Sequence, residues 1–86
     1  MKATKAEKFQ VQYLLPVQGS LQTLETVQEI LDIIKIKPED AESDMIEEIE
    51  LSDAHISFLK NMISVLDQSQ KLSLRCLPII RKILKN

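Results

Sequence analysis

Eight carboxylates crowd one stretch of this 86-residue chain: Glu39, Asp40, Glu42, Asp44, Glu47, Glu48, Glu50 and Asp53, with no base among them. Carboxylates at alternate positions are what a calcium loop uses, and Asp40, Glu42 and Asp44 have that spacing. Such a loop then requires a glycine at its sharp turn and a bidentate glutamate at its twelfth position. Counted from Asp40, those places hold Met45 and Leu51, so calcium chemistry is set aside. A row of carboxylates can also imitate the phosphates of a nucleic acid and occupy a protein that binds one. Glu42, Asp44, Glu47, Glu48 and Glu50 are the candidates for such a decoy. Met45, Ile46, Ile49 and Leu51 interrupt them with residues suited to a core, which favours a solvated, chemically idle edge.

Little else in the chain offers reactive groups. His55 is the single histidine and Cys76 the single cysteine, too few ligands for a zinc site. Asp53, His55 and Ser57 alternate, and alternate residues on a helix do not face one another, so they form no catalytic triad. Cys76 follows Arg75, whose charge could activate the thiol, but Leu77, Pro78 and Ile79 point to a buried, inert one. One glycine in the whole chain rules out the usual nucleotide loops. Lys71, Arg75, Arg81, Lys82 and Lys85 could meet phosphates, yet no aromatic lies among them and the net charge is −2, so nucleic-acid binding is disfavoured. No catalytic, cofactor or metal site is assigned, and the chain reads as a non-enzyme.

The elements that carry these residues read as helices. Thr4-Lys5-Ala6-Glu7 is a capping box, and Ala6, Phe9 and Tyr13 continue a helical stripe that Pro16 and Gly19 end, the glycine supplying a turn conformation. Ser20 or Thr23 caps a second helix, with Leu24, Val27, Leu31 and Ile34 at intervals of three and four as far as Lys35. Ser52 and Asp53 open a third, carrying Ile56, Leu59, Met62 or Ile63, and Leu66 before it fades in Asp67–Gln70. Ser73 caps a fourth, with Leu72 and Leu77 as a hydrophobic staple. Pro78 then falls deep enough to remove a backbone bond to Leu74 and bend that helix. Between the second and third helices, Ile34–Lys37 and the latter part of Met45–Leu51 alternate in polarity. They could pair as a small hairpin around Pro38–Asp44; a loop, or a short helix begun by Pro38, is the alternative.

The expected architecture is therefore all-α: four short helices in a compact bundle with a small β-hairpin as an option, in one domain over residues 1–86. The lone cysteine allows no internal disulfide, which fits a reducing compartment. No apolar run approaches the roughly 20 residues of a membrane span, and the N-terminus has no signal-peptide stretch, so a soluble cytoplasmic protein is expected.

Leu14-Leu15-Pro16-Val17-Gln18-Gly19-Ser20-Leu21-Gln22-Thr23-Leu24 resembles a pattern found in small phage- and prophage-encoded helical proteins of unknown function. Glu50-Leu51-Ser52-Asp53, Leu66-Asp67 and Lys71-Leu72-Ser73-Leu74 are similar to their second half, while Cys76-Leu77-Pro78 departs from their more polar end. The resemblance implies a bacterial host cell and no activity. The function expected is that of a small interaction protein binding a protein partner or its own copy, without cofactor. Leu31, Ile34, Ile80 and Leu84 are its candidate contacts, and the acidic inhibitor described above is the alternative.

Overall fold

The computed structural model describes all of residues 1–86. In chain order it contains strand β1 (Lys2–Thr4), helix α1 (Lys5–Gln10), helix α2 (Leu21–Ile34), strand β2 (Ile46–Glu48), helix α3 (Asp53–Gln68) and helix α4 (Leu77–Leu84). Three 3₁₀ turns join them, at Val11–Leu14, Pro38–Glu42 and Leu74–Cys76. The fold is mostly helical with one two-stranded antiparallel sheet.

Three of the four helices start at a side-chain cap; α4 has none, since Ser73 instead precedes the Leu74–Cys76 turn and makes no capping hydrogen bond. The Thr4 amide donates to Glu7 Oε1 at 2.7 Å while the Glu7 amide donates to Thr4 Oγ1 at 3.1 Å, a reciprocal box that starts α1. Ser20, and not Thr23, caps α2 by accepting from the Thr23 amide, and Ser52 caps α3 by accepting from the His55 amide. Leu15 is extended, as the following Pro16 demands. Gly19 adopts no positive φ, so its value is not conformational. A side-chain carbon there would stand 3.2 Å from Thr23 Cγ2, and glycine keeps that approach open.

Two expectations are corrected here. The two strands do form a sheet, but β2 does not pair with Ile34–Lys37. Ile34 is still helical and Lys35 turns left-handed at φ 49°, so that segment leaves α2 in the wrong conformation for a ladder. β2 pairs instead with the N-terminal strand, Lys2 opposite Glu48, Ala3 opposite Glu47 and Thr4 opposite Ile46. The ladder continues past both strand ends through Ile49 N–H to Met1 O and Lys5 N–H to Met45 O, each 2.7 Å. Pro38 begins a 3₁₀ turn, not a longer helix. The second correction concerns Pro78. The Leu74–Cys76 turn absorbs the start of the last helix, α4 begins at Leu77, and Pro78 sits in its first turn, where a missing N–H costs nothing.

The stripes converge on one aliphatic interior. Val27, Ile30 and Ile34 of α2 meet Leu59 and Ile63 of α3 and Ile79, Ile80 and Ile83 of α4, with Val11, Leu14 and Ile49 closing the ends. Each such side chain contributes about 2 kcal/mol by leaving water. Ala3, fully buried, brings the N-terminal strand onto the same core.

Candidate functional site

The acidic stretch is divided by the fold into two populations. Three of its members answer charges from the N-terminal segment. Lys8 is 6% exposed; its Nζ donates to Glu47 Oε2 at 2.8 Å and lies 3.7 Å from Asp40 Oδ2, itself on a residue only 5% exposed. Lys5 Nζ stands 3.7 Å from Glu47 Oε1, and the Met1 amino group donates to Glu48 Oε1 and to the Ile49 carbonyl, both at 3.0 Å. The hydrogen bond from Lys8 holds the Glu47 carboxyl below the usual carboxylate range against a smaller opposing effect of desolvation, with the charges of Lys8 and Lys5 assisting. Glu42, Asp44 and Glu50 are exposed and form no ion pair.

A second ionic contact joins the chain's ends. Lys82 Nζ donates to Glu7 Oε1 at 2.6 Å. Burial raises the Glu7 pKa, but the hydrogen bond from Lys82, the Thr4 amide and the Lys82 charge together outweigh it and lower the pKa. Lys71, Arg75, Arg81 and Lys85 are exposed without acidic partners, and the Arg75 guanidinium lies 5.1 Å from the centre of the Tyr13 ring.

An open groove of two adjoining hollows, about 430 and 200 Å³, runs between the end of α2 and β2. Lys8, Ile33, Ile34, Lys35 and Glu47 line both. One end adds Lys5, Lys37 and Asp40, the other Asp32, Glu48, Ile49 and Glu50, so the groove is richer in bases at the first end and in acids at the second.

His55 is engaged in a contact that sequence spacing did not show. Ser52 Oγ is 3.0 Å from its Nδ1, and Glu29 Oε2 is 3.0 Å from its Nε2, a hydroxyl–imidazole–carboxylate chain. Ser52 is at the same time the cap of α3, and none of the three residues lines a hollow where a substrate could sit. The arrangement ties the head of α3 to α2. Asp53 and Ser57 take no part in it. Glu29 lies 26 residues before His55, and nothing local in the sequence announces the pairing. The Cys76 thiol is 1% exposed, and burial raises its pKa more than the Arg75 charge lowers it, so it stays protonated and a poor nucleophile. No three His, Cys, Asp or Glu side chains come together to hold a metal ion.

The candidate contact residues separate in the same way. Ile34 and Ile80 are 2% and 5% exposed and belong to the core, which removes them from any surface. A helical pattern does not say how wide the buried face will be, and here that face is wide enough to enclose both. Leu31 is half-buried and packs on the core, and Leu84 is 54% exposed. Open aliphatic side chains lie before and along the head of α2, at Val17 (89% exposed), Leu21 (75%) and Leu24 (37%), and also at Leu74 (84%) and at the adjacent Met45 and Ile46 (64% and 71%), which the sequence pattern assigns to the core. No helix is long and apolar enough to cross a membrane. No family model matches the chain, and comparison with curated proteins and with solved structures found no match.

Proposed function

We propose that this chain is a non-enzymatic interaction protein that docks another protein or its own copy through the head of α2. The supporting observation is the exposure of Val17, Leu21 and Leu24 within one short stretch. Leu21 and Leu24 are three apart, and half-buried Leu31 continues their stripe a further two turns along the helix. Large aliphatic side chains grouped on a small soluble domain mark contact surfaces more often than chance exposure does. Leu84 on α4 is a further exposed contact candidate. The setting in this reading is the cytoplasm of a bacterial cell carrying a phage or prophage, with the four helices bundled around the shared core.

The test is sedimentation of the full chain at micromolar concentration beside a Leu21→Asp, Leu24→Asp double variant. Self-association is expected for the parent and a monomer for the variant. A monomeric parent transfers the reading to a foreign partner, checked by a photo-crosslinker at position 21 in host lysate; no crosslinked protein there sinks it. The acidic-inhibitor alternative retains Glu42, Asp44 and Glu50, since Glu47 and Glu48 are held by Lys8, Lys5 and the Met1 amine.

A further inference from the structure

We propose that the outer edge of β2 docks an extended segment of a partner protein with lysine or arginine at alternate positions, added to the sheet as a third strand. The backbone gives the first reason. In an antiparallel pair, residues that bond the neighbouring strand alternate with residues whose N–H and C=O point away from it. Met1 and Ile49 exchange bonds in both directions, and the Lys5 amide donates to the Met45 carbonyl. With that register, Met45, Glu47 and Ile49 face β1, while Ile46 and Glu48 turn their N–H and C=O groups outward. Both residues are exposed, and no turn or loop bond reaches their backbone. The opposite edge, on β1, is closed at Thr4, whose outward amide donates to Glu7 Oε1 at 2.7 Å. Open backbone groups along an edge are what an added peptide strand bonds.

Side-chain charge names the occupant. Ile46 and Glu48 share one face of the strand, and Asp44 and Glu50 continue the same alternation on either side. Asp44 and Glu50 are exposed and form no ion pair. β1 shows what suits this face, since it sets Lys2 opposite Glu48. Opposite charges facing one another across a strand pair stabilise it, and like charges weaken it. The acidic end of the groove adds to the same field: Glu47, Glu48 and Glu50 line it with Asp32, against Lys35 and a Lys8 already bound to Glu47. A charged edge of this kind discourages acidic and apolar strands, and a basic strand is the one it admits.

A second copy of this chain does not fit. β2 laid antiparallel on β2, centred on Glu47, sets glutamate against glutamate. The one segment with lysines at alternate positions is Lys35–Lys37, and it is engaged: Lys35 turns left-handed at the end of α2 and Ile36 packs on the core. β2 lies by the far end of α2 from Leu21 and Leu24. The Leu21→Asp, Leu24→Asp variant therefore leaves the edge intact, and either idea can fail alone.

The experiment is a magnetic-resonance titration of the isotope-labelled full chain with the end-blocked peptide Lys-Thr-Lys-Thr-Val-Thr-Lys. Laid antiparallel, it sets its bases opposite Glu50, Glu48 and Asp44 and its valine opposite Ile46. One control carries glutamate for each lysine; another is methylated on the backbone nitrogens of the two residues opposite Glu48 and Ile46. The basic peptide is expected to shift the Ile46 and Glu48 amides and slow their hydrogen exchange. The methylated form should bind about tenfold more weakly for want of two backbone donors, and the glutamate form should not bind. Ile46→Pro removes an outward N–H and no bond to β1, and should weaken the basic peptide in the same way. If that variant does not fold, the methylation comparison on the parent chain decides by itself. Equal binding of the methylated peptide reduces the contact to charge and overturns the added strand. Equal binding of the glutamate peptide overturns the choice of partner, and no shift at Ile46 and Glu48 with the basic peptide in large excess overturns the site.

Discussion

A lysine that is almost fully enclosed needs its charge answered nearby, and Lys8 has Glu47 in hydrogen-bond contact with Asp40 as a longer-range neighbour. Removing one member of such a group leaves the others uncompensated, whereas exchanging the group for apolar residues is often neutral. Glu47 still reaches solvent, which moderates the loss. Lys8→Ala is expected to destabilise the protein by about 2–3 kcal/mol, read from urea unfolding. A Lys8→Met, Asp40→Leu pair should recover part of that loss. Glu7 and Glu47 give the acid response. Both titrate below the reference 4.5, so the stability they add is complete above that value and is lost as pH falls through their lowered folded values. The urea midpoint should therefore decline in acid, with a flatter decline in Glu7→Gln than in the parent. The stretch of eight acids was visible at once in the sequence, but not which of them answer a lysine. Lys5 and Lys8 lie more than thirty positions from Asp40 and Glu47, and proximity of that kind is a product of folding.

Among the elements, local signals and distant ones had different fates. The boxes and caps at Thr4, Ser20 and Ser52 were written in adjacent residues and act as their types require. Ser52→Ala should cost about 1 kcal/mol, since it removes the acceptor for the His55 amide, and thermal unfolding will show it. Alternation over Glu48–Leu51 pointed to a strand in this region, but the strand formed is Ile46–Glu48, and its partner was not legible because pairing between distant segments leaves no periodic trace. Pro78 teaches the converse. Its distance from Ser73 suggested a bend, but a tight turn can occupy the first residues of a helix and shift its start. Pro78→Ala is accordingly expected to change stability by less than about 1 kcal/mol, far below the ~3 kcal/mol associated with a proline inside a helix.

Across the whole molecule, acids of the middle segment and bases of the last one do not neutralise each other. Asp40, Glu47 and Glu48 look to the N-terminal segment, and among the late bases Lys82 alone has an acidic partner, Glu7. Glu42, Asp44 and Glu50 therefore remain open to solvent along with Lys71, Arg75, Arg81 and Lys85. Reversing those three acids to lysine should leave any partner captured at the α2 head unchanged, measured by the same crosslink at position 21; its loss would revive the acidic surface as the site. The breadth of the core was the least legible property. Ile34 and Leu31 belong to one helix and look alike in sequence, yet one is enclosed and the other partly open.

The ribbon of β1 and β2 has a consequence for how the chain is made. Lys2–Thr4 leaves the ribosome well before its mates, which lie more than forty residues behind it. Until Glu48 has emerged, Ala3 has nowhere to be enclosed, and closing so long a loop is entropically slower than winding any of the helices. The amino-terminal segment should thus be the last piece to lock during synthesis and the first that a protease can reach on a stalled nascent chain.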